Sequence, residues 1–477
     1  MDSKQYKEKM YNILNDSESY ELLTSSSRNN VNSDLKKLLT FIKEEGRLSR
    51  ELVKQLIVQE PRIPRIYGLP KIHKSGHPLR PIADATDSVT YSIGKFLNNI
   101  LKPLTTASPF TVVNSTQFCD RIRDLSVLTN ERLYSFDVTQ LFPSVTVHMA
   151  MTALNEALDA NDQWQETTQL TKREILLLVR ICLVTSECMF DGKVWAQVKG
   201  LPMGGPLSPV IAELTMQRFE RLLFGELRLL NLLPKCWLRF VDDVFVIPKP
   251  TSTGGGGDVL ATICNALEPN LYFTVEEEVG RMLPFLDVCV KVANDGTIVT
   301  SVFRKPMSAL RLLPFQSNHH YGVKYGIVHG LVSRAVVISS NEVVLNEELS
   351  FVKQLVREGG YPVGMVEKSL NRVKAKINDT MEVKSTKVDL VKWGVTFHPA
   401  VFDILYRNFK KFGVELVASN TTKLRNCFPS QKDRVENYER KGVVYELSCN
   451  QCQAKYIGQT GQCLSTRLYR HKLGGKS

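Results

Sequence analysis

The sequence predicts an α+β chain organised around an antiparallel sheet, and three observations lead there. An apolar run from Trp237 to Ile247 carries two adjacent acids, Asp242 and Asp243, at its centre. A second apolar stretch, Leu133 to Val138, holds a single acid, Asp137, near its end. From about residue 320 to 380 the pattern turns helical and basic. The β-branched and aromatic content of the first run reads as strand, turn, strand, with the acids at the bend. Two anions beside apolar side chains are costly unless a cation neutralises them. Mg²⁺ suits such a place, because it takes one or two carboxylates plus phosphate oxygens of a substrate.

The 477 residues allow two to four structural units with ample core. A net charge of +12 favours a polyanionic partner, nucleic acid or an anionic membrane. No stretch approaches the roughly 20 apolar residues that span a bilayer, and Met1-Asp2-Ser3-Lys4 lacks a signal-peptide pattern, so membrane partnership is not expected. The ten cysteines are scattered through apolar segments and read mainly as buried thiols, and Cys449 and Cys452 alone have metal-like spacing.

In chain order, residues 1–45 form an N-terminal helical segment, with helices at Tyr6–Leu14 and Leu35–Ile42 and a Ser/Asn-rich break at Ser25–Asn32. Between 61 and 81, five prolines interleave with Arg62, Arg65, Lys71, Lys74 and Arg80. The prolines demote a helix, so short strands and fixed turns are expected, with Lys71 and Arg80 aimed across one groove. Helices follow at Tyr91–Leu104, His148–Asp159 and Thr171–Ser186, and a short hairpin turns at Asp191-Gly192. The loop from Gly200 to Pro209 precedes a helix, Val210–Leu229; its glycines permit close backbone approach to a ligand. Gly254 to Gly257 reads as a surface loop, Asp258–Leu267 as a helix, and Tyr272–Glu278, Leu283–Val292 and Thr300–Pro306 as strands. Helices are expected at Gly330–Ser339, Asn346–Glu358, Val363–Lys376 and Ala400–Phe412.

Asp137 and the Asp242–Asp243 pair fall in two β-elements. Two-metal phosphoryl transfer needs carboxylates held in that way, to clamp two ions about 4 Å apart. The rate then comes from positioning and charge stabilisation.

The order of Leu79-Arg80-Pro81-Ile82, Ser135-Phe136-Asp137-Val138, the 200–209 loop, Phe240-Val241-Asp242-Asp243 and the 300–306 strand resembles a reverse transcriptase. Tyr67-Gly68-Leu69-Pro70-Lys71-Ile72-His73-Lys74, Gly200 to Pro209, Phe285-Leu286-Asp287 and Phe303-Arg304-Lys305-Pro306 resemble the Penelope-like retroelement family. The resemblance implies a right-hand polymerase: fingers and palm over 46–306, a helical thumb over 307–380, and a connector over 381–440. It implies two Mg²⁺ on Asp137, Asp242 and Asp243, with Asp243 coordinating less directly. Arg80 and Lys71 would bind the incoming triphosphate, Phe142 would exclude a 2′-hydroxyl, and Met203-Gly204 would pack on the nascent base pair. The implied partners are an RNA template, a DNA primer or target and deoxynucleoside triphosphates, with a nuclear location.

The family's second unit is a GIY-YIG endonuclease, and residues 441–477 resemble its start. Gly442-Val443-Val444-Tyr445 and Tyr456-Ile457-Gly458 match its two strands, and Arg467 its catalytic arginine. Cys449 and Cys452 match cysteines that bind Zn²⁺, with Cys463 or His471 as further candidates. The family's metal-binding Glu and later elements do not appear before Ser477, so this small α/β module is expected to be incomplete and inactive as a nuclease. The alternative expectation is a catalytically impaired nucleic-acid-binding fragment, clipped at both ends.

Overall fold

A computed structural model describes residues 1–72, 74–106, 108–251, 256–378, 390–420, 427, 432, 435–449 and 452–474. His73 and parts of the 254–257 loop and the 381–440 connector therefore lie outside the described residues. The chain divides into two compact units, one of residues 1–108, 140–222 and 430–477, the other of 109–139 and 223–429.

The first unit is built on a five-stranded sheet. Its strand order is Tyr20–Leu23, Lys193–Gln197, Glu187–Phe190, Arg65–Pro70, Leu79–Asp84. All neighbours are antiparallel except Arg65–Pro70 beside Glu187–Phe190. Pro81 is tolerated because its strand is the sheet edge, where the missing N–H breaks no ladder. Met10, Leu14, Ile66, Leu79, Phe190 and Trp195 form the core beneath this sheet. Gly68 is required there, because a Cβ would sit 2.8 Å from both Leu79 and the Met10 sulfur. The helix Lys172–Val184 starts with a capping box, Thr171 and Glu174 each satisfying the other's backbone N–H. The last segment contributes a two-stranded antiparallel ribbon, Val443–Ser448 with Lys455–Thr460, and the helix Leu464–Gly474.

The second unit holds an antiparallel four-stranded sheet ordered Cys236–Phe240, Asp243–Ile247, Tyr134–Val138, Phe273–Glu277. A three-stranded sheet, Met282–Phe285, Val288–Val292 and Ile298–Val302, shares a core with it through Phe118, Phe245, Phe285 and Val290. Three helices follow, Tyr321–Ile338, Glu342–Glu358 and Gly364–Asn378, packed around Val328, Val332, Val352, Val356 and Val366. Two parallel strands, Val391–Thr396 and Val414–Ser419, are joined through the helix Phe402–Lys410, as a parallel pair requires.

Several elements differ from the expectation. Helix Arg28–Glu44 begins inside the Ser/Asn-rich stretch read as a break. The expected strand 283–292 is a hairpin, bent where Leu286 takes φ +56°. Helix Tyr321–Ile338 starts nine residues earlier than Gly330, because Gly322 and Gly326 lower its intrinsic propensity and packing overrides them. Strand Ile298–Val302 stops before the basic Arg304-Lys305-Pro306 turn. The strands Tyr20–Leu23, Val391–Thr396 and Val414–Ser419 and the helix Ser115–Ile122 had no counterpart in the sequence reading.

Candidate active site

The acids lie together in the second unit. Strand Tyr134–Val138 pairs with Asp243–Ile247 so that Asp137 is directly opposite Asp243. Directly opposed residues on antiparallel strands hold their Cβ atoms about 4.5–5.5 Å apart. Phe240 pairs with Asp243, which leaves Val241 and Asp242 as the two-residue bend of the hairpin. Val241 takes φ +59°, a backbone that a β-branched residue rarely adopts. The Val138 N–H donates to the Asp242 carbonyl at 3.1 Å and ties the bend to the end of the central strand. Asp137 is exposed; Asp242 and Asp243 are half-buried.

The electrostatics follow from that crowding. Burial, then the charges of Asp242 and Asp137, push the Asp243 carboxyl up to about 6, opposed by Lys305; Glu276 adds further negative charge. Excess anionic charge of this kind suits a divalent cation, and oxygen-only donors suit a hard one. Among the described residues, no group of three or more His, Cys, Asp or Glu side chains is arranged to hold a metal ion by itself.

Three contributors were missed in the sequence. Arg239 is completely buried; its Nη1 donates to the Val241 carbonyl at 3.2 Å and its Nη2 to Thr111 Oγ1 at 3.1 Å. Residues 110–112 run beside it, with the Arg239 N–H on the Phe110 carbonyl and the Val112 N–H on the Arg239 carbonyl, both at 2.8 Å. Glu276 and Lys305 bear on the acids by charge. An arginine inside an apolar strand was the available signal for the first, since a buried guanidinium needs partners.

The expected nucleotide-binding residues lie in the first unit. Arg80 is exposed on the edge strand, opposite Leu69. Lys71 closes the turn between the two strands, its N–H on the Pro78 carbonyl at 2.8 Å. The glycine–proline loop lies against the edge strand, with the Ala83 N–H on the Met203 carbonyl at 2.8 Å. Gly204 has φ +116°, and an added Cβ would meet the Ala83 carbonyl oxygen at 2.1 Å. Phe142 sits in the short helix Leu141–Ser144, and its carbonyl accepts from the Leu201 N–H at 2.7 Å. Arg80, Met203 and Gly204 thus share the edge strand and its loop, and Phe142 is bonded to the start of that loop.

The ribbon residues also converge. Tyr445 Oη is 2.6 Å from His471 Nε2, and Arg467 Nε donates to Tyr445 Oη at 3.0 Å. The Tyr456 and His471 rings are 5.2 Å apart. Cys449 and Cys452 are exposed and outside any disulfide. Of the further zinc candidates, the Cys463 thiol donates to the Glu439 carbonyl at 3.5 Å, and His471 Nε2 is the ring nitrogen beside Tyr445 Oη.

Residues 311–371 match the family described as the Animal helix-turn-helix domain. This corrects the expected family and the C-terminal part of the expected fold class. The domain matched in the C-terminal part of the chain is a helix-turn-helix, not a GIY-YIG module, and the match is not to a Penelope-like reverse transcriptase. Its physical basis is the three valine-cored helices, joined by the short turns at Ser339–Asn341 and Gly359–Val363, within the stretch read as a thumb. The GIY-YIG reading leaned on tyrosines and glycines of a two-stranded ribbon, a pattern that an ordinary hairpin also carries. Tyr445, Tyr456 and Arg467 lie outside the matched residues.

No curated protein matches this sequence. Among solved structures, the chain is similar to a telomerase from Candida albicans in complex with a fragment of telomeric RNA. That likeness has a TM-score of 0.46 and 11% identity, over 77% of this chain and 69% of that one. It is similar to an apo telomerase from Candida tropicalis truncated from its C-terminal domain, with TM-score 0.40 and 14% identity, over 57% of this chain and 60% of that one. It is also similar to the RNA-dependent RNA polymerase of a human picobirnavirus, with TM-score 0.43 and 12% identity, over 79% of this chain and 80% of that one. These are broad, low-identity resemblances to nucleic-acid polymerases, and the candidate site stands on the sheet register instead.

Proposed function

We propose that the chain is a template-directed nucleotidyltransferase, and specifically an RNA-directed DNA polymerase. The single observation that carries this reading is the register that sets Asp137 opposite Asp243 with Asp242 on the bend between two strands. Asp137 and Asp242 would hold two Mg²⁺ ions, and Asp243 would add negative charge beside them. When bound, the ions would supply a lowered pKa for a primer 3′-hydroxyl and charge neutralisation for a triphosphate. The chain's own residues do the positioning. The strand ladder fixes Asp137 and Asp243, and the bend presents Asp242. In this reading Arg80 and Lys71 bind the phosphates of the incoming nucleotide, and Phe142, Met203 and Gly204 shape the pocket for its sugar and base. The net charge of +12 supports a nucleic-acid partner held through its phosphates.

The test is primer extension on poly(rA)/oligo(dT) with Mg²⁺, comparing the wild type with Asp242→Asn. Loss of one metal-holding carboxylate should reduce incorporation by about a hundredfold or more. Equal incorporation by both proteins refutes the role of the acids. Salt-sensitive duplex binding without incorporation by either would assign the chain to nucleic-acid binding alone.

A further inference from the structure

We infer that Arg239 is a positioning residue that sets the affinity of the acid site for its metal ions. The inference rests on the proposed function and adds a residue that touches neither substrate nor metal.

Arg239 belongs to strand Cys236–Phe240, and among the described residues it is one of the largest fully buried side chains. An interior guanidinium is unfavourable unless its donors are matched to acceptors at fixed places. Two of those acceptors are informative. One is the carbonyl of Val241, which is the residue just before Asp242 and the one held at φ +59°. The other is Thr111 Oγ1, on the segment whose backbone brackets Arg239 from both sides. The guanidinium thus spans from a braced segment to the carbonyl of the residue in the unfavourable conformation.

That contact has a direct consequence for the acid. The peptide joining Val241 to Asp242 is gripped at its oxygen by Arg239. The Asp242 carbonyl at the other end of the same residue is gripped by the Val138 N–H at 3.1 Å. Asp242 is held on both sides, and its carboxylate is presented beside Asp137 and Asp243 without a search over backbone conformations. Outer partners that orient metal-holding groups are worth about 10–100-fold in metal affinity. Releasing the Val241 carbonyl lets the bend relax toward negative φ and carries Asp242 away from the two opposed acids.

The experiment measures Mn²⁺ binding to the full chain by electron paramagnetic resonance, alongside the Mg²⁺ midpoint for primer extension. The proteins are the wild type, Arg239→Gln, Arg239→Lys, Thr111→Val and Cys236→Ala. Arg239→Gln should raise both midpoints about tenfold or more, as for other outer partners of a metal site. Arg239→Lys keeps one donor for the Val241 carbonyl and should fall between it and the wild type. Thr111→Val is nearly isosteric and loosens the guanidinium without removing it. It should shift the midpoints in the same direction by less, and it decides the matter if Arg239→Gln fails to fold. Cys236→Ala weakens the same strand at its far end and should lower thermal stability with no shift in either midpoint. Unchanged midpoints in Arg239→Gln, Arg239→Lys and Thr111→Val overturn the inference. If the wild type shows no Mn²⁺ site that Asp242→Asn removes, the proposed function itself fails, which is a separate result.

Discussion

Replacing Gly204 with alanine tests whether the glycine–proline loop is fixed to the edge strand by close backbone contact. The added Cβ would lie 2.1 Å from the Ala83 carbonyl oxygen and 3.2 Å from its carbon, and φ is +116°. Backbone atoms cannot swing aside as a flexible side chain can, so the loop must retreat by about 1 Å to reach an ordinary contact distance. That retreat breaks the bond from the Ala83 N–H to the Met203 carbonyl, worth about 1 kcal/mol net. Holding a non-glycine residue at so unusual a φ costs about 1–3 kcal/mol more. The expected destabilisation is about 3 kcal/mol, which for a unit of this size lowers the melting temperature by about 6–12 °C. The assays are thermal unfolding and the KM for deoxynucleoside triphosphate in primer extension. KM should rise with little change in oligonucleotide binding, because the loop shapes the nucleotide pocket in the proposed reading. A variant that melts within about 2 °C of the wild type, below the smallest shift expected from such strain, and keeps its KM would refute the contact and the loop's role together.

Gly225 provides the opposite case. It is exposed inside the helix Ser208–Leu229, and a Cβ there meets nothing within 4 Å. Gly225→Ala should stabilise by about 0.5–1 kcal/mol in urea unfolding, through the lower entropy cost of alanine in a helix. The Glu174 pair makes a pH-dependent prediction. Burial alone would raise the Glu174 carboxyl, but the Thr171 N–H and hydroxyl and the Arg47 guanidinium at 2.8 Å outweigh it, and the net direction is down. A lowered folded pKa contributes stability that is complete above the ordinary carboxylate range and is lost as pH falls through the folded value. The wild type should therefore lose this contribution on acidification below pH of about 4.5. Glu174→Gln should remove that part of the pH dependence and cost about 1–2 kcal/mol at neutral pH, measured by chemical denaturation.

The sheet elements that position the acids were legible because their signals are local. Alternation and β-branched residues mark Trp237–Ile247 and Leu133–Val138, and the Asp-Asp bend interrupts them where a hairpin must turn. The register of Asp137 against Asp243 was not legible, since pairing between residues 106 positions apart is a tertiary property. The brace at Thr111 and Arg239 was hidden for the same reason: nothing local says that residues 110–112 join that strand. Glycines concealed the start of the helix at Tyr321, where valine packing supplies what propensity withholds. The C-terminal family reading failed differently. A handful of tyrosines and glycines at plausible spacing is a pattern that an ordinary two-stranded ribbon also carries, while the helices that match the helix-turn-helix family stand in the stretch expected to be a polymerase thumb.

The first unit is threaded from three separate pieces of chain, and its final piece includes contacts from Lys441 and Cys463 to Glu60. Those contacts close loops of roughly 400 residues, which a growing polypeptide can form only after residues 441–463 have left the ribosome. The second unit needs no residue past 429 and can be completed earlier. Synthesis from the N-terminus therefore finishes the unit that starts first only after the unit that starts second. Until then the first unit lacks its third piece, and a slow or paused translation of codons 430–477 would prolong the window in which an incomplete unit can aggregate.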